Sequence, residues 1–287
     1  ALAAAIEVGV TLDTMLPGRS GYIVADYRVV NYGKKSYGPI NLLTATENSV
    51  NSAYVKLTYD IGVDAVMDAA SRAGIPDDAV GLDRNLTFVL GTASPHVIDV
   101  ANAYATFAAR GIRATPFTIK EVQSANGGVI YQAPMRTTTT FEEYVADTVN
   151  AALRSVVTNG TGFAANKVGR PVAGKTGTTN DNLSAWFAGY SPDLAAAVMF
   201  VKEDEKGIPV TLRGTGGLAT VTGGSFPARI WTEFMKGALK KTPARDFVEP
   251  EIPLPDFTDA PIESPIPTDE ATTPTEGDAA APIRCRP

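Results

Sequence analysis

Histidine and cysteine are nearly absent, with one of each in 287 residues. A single imidazole, His96, is too few for a serine-histidine-aspartate triad or a histidine-rich metal site, and it reads as structural. Cys285 has no second cysteine to bond with, so no intramolecular disulfide forms and no redox compartment follows. A sustained excess of one charge is missing as well. The net charge is −6, but positions 243–287 hold ten acids against three arginines, while the residues before them hold 22 basic against 21 acidic side chains. A neutral body carries no basic footprint, so nucleic acid is excluded as a partner. Long apolar runs are also lacking. Residues 1–10 are apolar, yet they have no basic leader, include Glu7 and are too short to span a bilayer, so they read as the end of a buried helix. Chemistry in this chain must draw on Lys, Ser, Thr and carboxylates, with no metal and no cofactor expected.

What is present suits a sizeable core, at 44% hydrophobic and 20% charged residues. Residues 1–242 read as one α+β body. Apolar residues at helical spacing predict helices from Asn41 to Gly62 (Val50, Tyr54, Leu57, Ile61), from an Asp64 N-cap to Gly74, over 98–110 and over 227–239. Thr140 and Glu143 form a capping-box pattern before the apolar stripe Val145, Val149, Leu153 and Val156. Residues 117–131 predict two strands about Asn126-Gly127-Gly128, and 185–190 with 194–202 predict a hairpin about Ser191-Pro192-Asp193. Residues 243–287 differ in texture. Ten are proline, most of the rest Thr, Ala and acid, so burial cannot offset the entropy of ordering and a disordered tail is expected, a spacer or a partner site.

The stretch 172–179, Val-Ala-Gly-Lys-Thr-Gly-Thr-Thr, joins an apolar lead-in to a lysine, a glycine that clears the backbone and three hydroxyls. Residues 169–176 also spell G-x-x-x-x-G-K-T, a phosphate-loop pattern. A phosphate loop needs a strand before its first glycine and a helix starting at Lys-Thr. The residues around this match predict the reverse, a helix and Gly-rich loop before it and strand and turn formers after it. The alternative is a peptide-binding strand edge. It calls for a Ser-x-Asn triplet at the head of a helix, and Ser49-Val50-Asn51 stands there, though a Ser or Asn at that place is equally a helix N-cap.

With Lys175-Thr176-Gly177 and Ser49-x-Asn51 together, the sequence resembles the transpeptidase domain of class A, bifunctional penicillin-binding proteins, the enzymes that cross-link bacterial cell walls. The likeness runs from residue 1 to about 239. Leu2-Ala3-Ala4-Ala5-Ile6-Glu7-Val8-Gly9 looks like the helix end that follows the family's nucleophile, and Asn102-Ala103-Tyr104-Ala105-Thr106-Phe107-Ala108 resembles its central helix. Asn159-Gly160-Thr161-Gly162, residues 173–181 and Ala185-Trp186-Phe187-Ala188-Gly189-Tyr190 are similar to its most recognisable run, and 225–231 resembles the actinobacterial branch.

The resemblance implies a penicillin-binding, β-lactamase-like α+β fold and a peptidoglycan D,D-transpeptidase acting by serine acyl transfer from D-Ala-D-Ala stem peptides. Ser49, Asn51 and Lys175 would be catalytic, the first two in proton transfer and Lys175 as positive potential near the substrate carboxylate. Thr176, Gly177, Thr178 and Thr179 would bind substrate. The two threonines 176 and 178 share one strand face, the N–H of Thr178 is an oxyanion donor, and Gly177 admits the substrate backbone. Stem peptides and β-lactams are the implied ligands. An upstream glycosyltransferase domain, a membrane anchor, a place at the outer face of the cytoplasmic membrane and cell-wall synthesis partners for the tail are implied too.

Two departures stand out. No serine in the chain is followed three places on by lysine, so the family's Ser-x-x-Lys nucleophile is expected just before residue 1, and the chain as given is expected not to acylate. Ser184 stands where the family often has an acid. The competing readings are a non-catalytic binding or scaffolding protein of the same fold and a phosphate-loop NTPase.

Overall fold

The computed structural model describes residues 1–251. The chain opens with α1 (Leu2–Glu7), whose Ala3, Ala4, Ala5 and Ile6 are buried. Four short strands follow, β1 (Met15–Pro17), β2 (Tyr22–Val24), β3 (Tyr27–Val29) and β4 (Pro39–Asn41). β2 and β3 form a hairpin, and β1 pairs antiparallel with β4.

The helical stretch read from Asn41 divides into α2 (Leu42–Glu47) and α3 (Asn51–Ile61). Asn41 caps the first by accepting from the Thr44 N–H at 2.9 Å. Ser49 adopts φ 54°, a left-handed conformation that no helix continues, and the chain therefore restarts at Asn51. In α4 (Val63–Ala73), Gly62 with φ 91° stands at the N-cap, and Asp64 falls inside the first turn. This corrects the Asp64 cap: the glycine turn lets α3 run almost directly into α4, leaving Asp64 to complement the helix dipole and pair with Arg84 at 2.6 Å.

The next elements are α5 (Val97–Ala108), β5 (Ile112–Ala114), β6 (Glu121–Gln123), β7 (Val129–Gln132), β8 (Thr137–Thr139) and α6 (Glu143–Thr158). The strands pair as β5 with β8 and β6 with β7, the second pair forming about the glycine turn as read from sequence. The capping box is not made. Thr140 donates its hydroxyl to Gly111 O at 3.1 Å and Glu143 pairs with Arg110 at 2.9 Å, while the helix starts only at Glu143 with Glu142 at the N-cap, so Thr140 and Glu143 are not at the cap and third positions of one helix end. His96 stands exposed at the head of α5.

β9 (Ala173–Thr178), β10 (Ser184–Ser191) and β11 (Leu194–Val201) make a three-stranded antiparallel sheet in the order β11-β10-β9, and α7 (Phe226–Ala238) closes the described helices. Strand alternation gives the sheet two apolar faces. Phe187 points one way, meeting Trp231 of α7 edge-on at 5.0 Å; Tyr190 points the other way, toward Tyr104 of α5 at 6.1 Å. A helical layer on each face covers the central strand. Tyr190 is fully buried and satisfies its hydroxyl on Asn150 Oδ1 of α6 at 2.6 Å.

Among the described residues no helix is long and apolar enough to cross a membrane. Of the stretch read as a tail, residues 243–251 are described and 252–287 lie outside the described residues. Phe247 is buried with its ring 5.7 Å from that of Tyr190, and Arg154 of α6 pairs with Glu249 at 2.6 Å.

Candidate active site

The left-handed turn at Ser49 faces β9. Lys175, on the third position of β9, donates from Nζ to Ser49 Oγ at 2.7 Å and to the carbonyl of Thr176 at 3.0 Å. Its ammonium end is enclosed with no described carboxylate beside it, and burial lowers its pKa to about 8. The group therefore sits near the balance between donor and base at neutral to mildly alkaline pH. Asn51, the first residue of α3, is held by Nδ2 donating to Val30 O at 2.8 Å. Behind them Tyr54 Oη and Thr46 Oγ1 are 2.6 Å apart, and burial pushes the Tyr54 phenol up to about 12, so it stays protonated.

A cleft of about 840 Å³ opens along this line, and Ser49, Asn51, Thr176 and Thr178 all face it. Thr176 and Thr178 share the cleft side as strand alternation requires. Thr176 Oγ1 is 2.7 Å from Thr161 Oγ1, and Thr178 Oγ1 accepts from the N–H of Gly223 at 3.1 Å. Lys175 and Gly177 line the more apolar hollow of about 460 Å³ that also touches Ser49 and Tyr54. Thr179 is placed differently: its hydroxyl accepts from the Ser184 N–H at 2.8 Å and closes the β9–β10 turn. Ser184, where an acid is often found in the family, thereby joins the turn through its backbone.

β9 is hydrogen-bonded to β10 on one side and to no described strand on the other. Its free edge offers backbone N–H and C=O groups to an extended peptide. Gly223 crosses close to this strand; a Cβ there would strike Trp186 O and lie 2.7 Å from Gly177 O.

Sequence reasoning had no means of finding several neighbours. Thr161 belonged to a recognisable run but was not read as a site residue. Asn182, Arg213 and Tyr32 belong to no motif. Asn182 is buried, donates from Nδ2 to Tyr32 Oη at 3.1 Å and to Val221 O at 3.2 Å, and accepts at its backbone carbonyl from Leu212 N at 2.7 Å. The phosphate-loop reading fails on the same geometry. Residues 163–168 form a 3₁₀ helix before the pattern, and Lys175-Thr176 lies inside a strand, so no helix N-terminus faces a phosphate.

The chain matches the family model described as the penicillin binding protein transpeptidase domain over residues 1–209. It is 35% identical over 275 residues to penicillin-binding protein 1A of Mycobacterium tuberculosis (strain ATCC 25618 / H37Rv), covering 87% of this chain and 32% of that protein. Penicillin-binding protein 1A of Aquifex aeolicus (strain VF5) is 29% identical, over 78% of this chain and 29% of its own length. The chain thus spans about a third of the length of the curated relatives it matches. Among solved structures, the PonA1 protein from M. tuberculosis in complex with penicillin V superposes with a TM-score of 0.77 at 33% identity, covering 88% of this chain and 70% of that one. Penicillin-binding protein 1A from Haemophilus influenzae, at 23% identity and a TM-score of 0.75, shares the fold, with 87% of this chain and 42% of that chain covered. With Ser49, Asn51 and the Lys175-Thr176-Gly177 strand brought side by side and the family model matched over residues 1–209, the chain belongs to the penicillin-binding protein transpeptidase domain family.

Proposed function

We propose that this chain forms the peptide-binding part of a peptidoglycan D,D-transpeptidase that acts on stem peptides ending in D-Ala-D-Ala. The observation that carries the reading is the convergence of Ser49, Asn51, Lys175, Thr176 and Thr178 beside the unpaired edge of β9. An extended peptide adds to that edge, its terminal carboxylate accepting from the hydroxyls of Thr176 and Thr178 in the positive potential of Lys175. The Thr178 N–H serves as an oxyanion donor, a type of contact whose loss slows acyl transfer by roughly a hundredfold or more.

In the reaction, a serine hydroxyl attacks the penultimate D-Ala carbonyl, and its proton passes to the departing nitrogen, so that the terminal D-Ala leaves as a free amine. An acceptor amine then displaces the serine from the ester, forming the cross-link and giving up one of its own protons to restore the hydroxyl. Ser49, Asn51 and Lys175 form the proton-transfer network. The 287 residues hold no Ser-x-x-Lys, so the part assigned to them is binding, charge stabilisation and proton transfer. β-Lactams occupy the same cleft in this reading. The relatives' name, penicillin-binding protein 1A, supports an extracytoplasmic setting at the outer face of the cytoplasmic membrane and a glycosyltransferase domain in the whole protein.

Titrating the ¹⁵N-labelled chain with Nα,Nε-diacetyl-L-lysyl-D-alanyl-D-alanine tests this. Shifts should concentrate at residues 174–179 and 49–51. An equal response to the L-alanyl-L-alanine isomer would sink the proposal.

A further inference from the structure

Ser49 and Lys175 meet through side chains only, from segments far apart in the sequence. Ser49 sits on a left-handed turn, with φ 54°, a conformation that persists in a serine only where its surroundings hold it. Its own N–H makes a long bond, to Thr46 O at 3.3 Å. Its hydroxyl is held by Lys175 Nζ, which lies at the end of a flexible side chain. Something else must fix the turn against β9.

The C-terminal end of α6 and the residues after it do so. Glu47, the last residue of α2 and two positions before Ser49, is held twice. Its carbonyl accepts from the Thr161 N–H at 3.0 Å, and its carboxylate oxygen Oε1 accepts from Ser155 Oγ. Asn159 Nδ2 donates to the same Ser155 oxygen at 3.0 Å, which leaves the one hydroxyl proton for Glu47. The chain crosses Glu47 at Gly160 more closely than any side chain allows: a Cβ there would lie 2.4 Å from Glu47 O. From the same crossing Thr161 Oγ1 reaches Thr176 Oγ1, 2.7 Å away on β9. Residues 155–161 therefore touch both sides of the Ser49–Lys175 pair, the turn through Glu47 and the strand through Thr176. Among the described residues Glu47 has no ion-pair partner, so what its carboxylate contributes is the acceptor for Ser155.

Resting on the proton-transfer reading of Ser49 and Lys175 above, we infer that Glu47 is a positioning residue for that pair, acting with Ser155 and the Gly160-Thr161 crossing to hold the Ser49 turn at its distance from β9. Glu47 lines neither the cleft nor the hollow beside it. It acts as a hydrogen-bond acceptor, so a neutral acceptor of the same shape serves equally. Proton transfer and peptide binding depend on separations held to about half an ångström, which is why a brace two residues from Ser49 is felt in the site.

The test follows the Lys175 side chain by ¹³Cε NMR titration, and the binding of Nα,Nε-diacetyl-L-lysyl-D-alanyl-D-alanine, in the parent and in E47A, S155A and E47Q. In the parent, burial puts the lysine at about 8. Other titratable groups lining the hollow stay clear of the range between 8 and 10.5: burial lowers the Ala1 amino group to about 5, pushes Tyr54 up to about 12 and raises Tyr104 as well. E47A and S155A should release the turn and admit water, so the Lys175 midpoint climbs toward the ordinary 10.5. Peptide affinity should fall about tenfold with it, the loss expected of a hydrogen bond to a charged group. E47Q, whose side-chain oxygen still accepts from Ser155, should keep both parent values. A lowered melting temperature with midpoint and affinity unchanged in E47A and S155A assigns Glu47 to stability alone and overturns the inference. E47Q behaving as E47A also overturns it, since charge and not the acceptor would then matter. If E47A does not fold, S155A decides by the same two readings. A parent that shows no shift at residues 174–179 with the peptide overturns the stem-peptide reading, and the Lys175 midpoint in S155A still decides the brace.

Discussion

Lys175 Nζ donates to Ser49 Oγ at 2.7 Å across 126 positions of sequence, and burial holds that ammonium at about 8. Peptide binding that uses its charge is expected to weaken as pH rises through about 8. The same depression makes folding release a proton between about 8 and the ordinary lysine value of 10.5, so stability relative to K175M rises with pH across that window. Peptide titrations and urea melts from pH 6.5 to 10 check both trends. A K175Q variant whose affinity is as high as the parent's and follows the same pH curve would remove Lys175 from the site.

The chain as given is expected to hold a β-lactam without bonding to it. Ser49 is proposed as a proton-network residue, and the 287 residues hold no Ser-x-x-Lys to take the acyl group. Intact-mass measurement after incubation with penicillin V should find the unmodified chain, and an adduct mapped to Ser49 would reassign that residue as the nucleophile.

Gly223 is expected to tolerate no side chain. A Cβ would meet backbone at Trp186 and Gly177, where nothing can swing aside, so G223A should cost about 1–3 kcal/mol and loosen the Thr178 contact. G237A is the matched control: its Cβ meets nothing, and replacing a helical glycine by alanine should add up to about 1 kcal/mol. Thermal melts of the two variants should move in opposite directions.

Tyr190 to Phe removes a buried hydroxyl and leaves Asn150 Oδ1 without that partner. The expected loss is about 1–3 kcal/mol, read as a lower urea midpoint with an unchanged slope.

Phe247 ties the start of the acidic C-terminal stretch to the core through Tyr190. F247A is expected to cost about 3 kcal/mol, and a chain ending at 242 at least as much, since the Arg154 pair with Glu249 goes with it. If both variants melt with the parent, residues 243–249 contribute nothing to the domain.

Local pattern and tertiary placement divide cleanly in this protein. The hairpin of β10 and β11, the strand at Lys175 and the helices α3 through α7 were legible because their signals are local: alternation, periodicity and turn residues lie within a few positions of one another. Boundaries failed where the deciding contact was remote. Thr140 and Glu143 spell a capping box, yet Gly111 and Arg110 take those side chains, and no window around residue 140 contains them.

The site shows the same split. Two short motifs were enough to choose a peptide-binding strand over a phosphate loop, since strand propensity after Lys175 is written in the Thr-Gly-Thr-Thr that follows. The sequence by itself, through motifs that resemble a known family, pointed to that family, to the α+β class and to Ser49, Asn51, Lys175, Thr176, Gly177, Thr178 and Thr179 as candidates. Only the fold decided that Lys175 turns to Ser49 in an enclosed setting that lowers its pKa, that Thr179 closes a turn, and that Asn182 joins Tyr32 to Val221. Those relationships depend on burial and on distances between segments far apart in the chain, quantities that exist only once the chain has closed on itself.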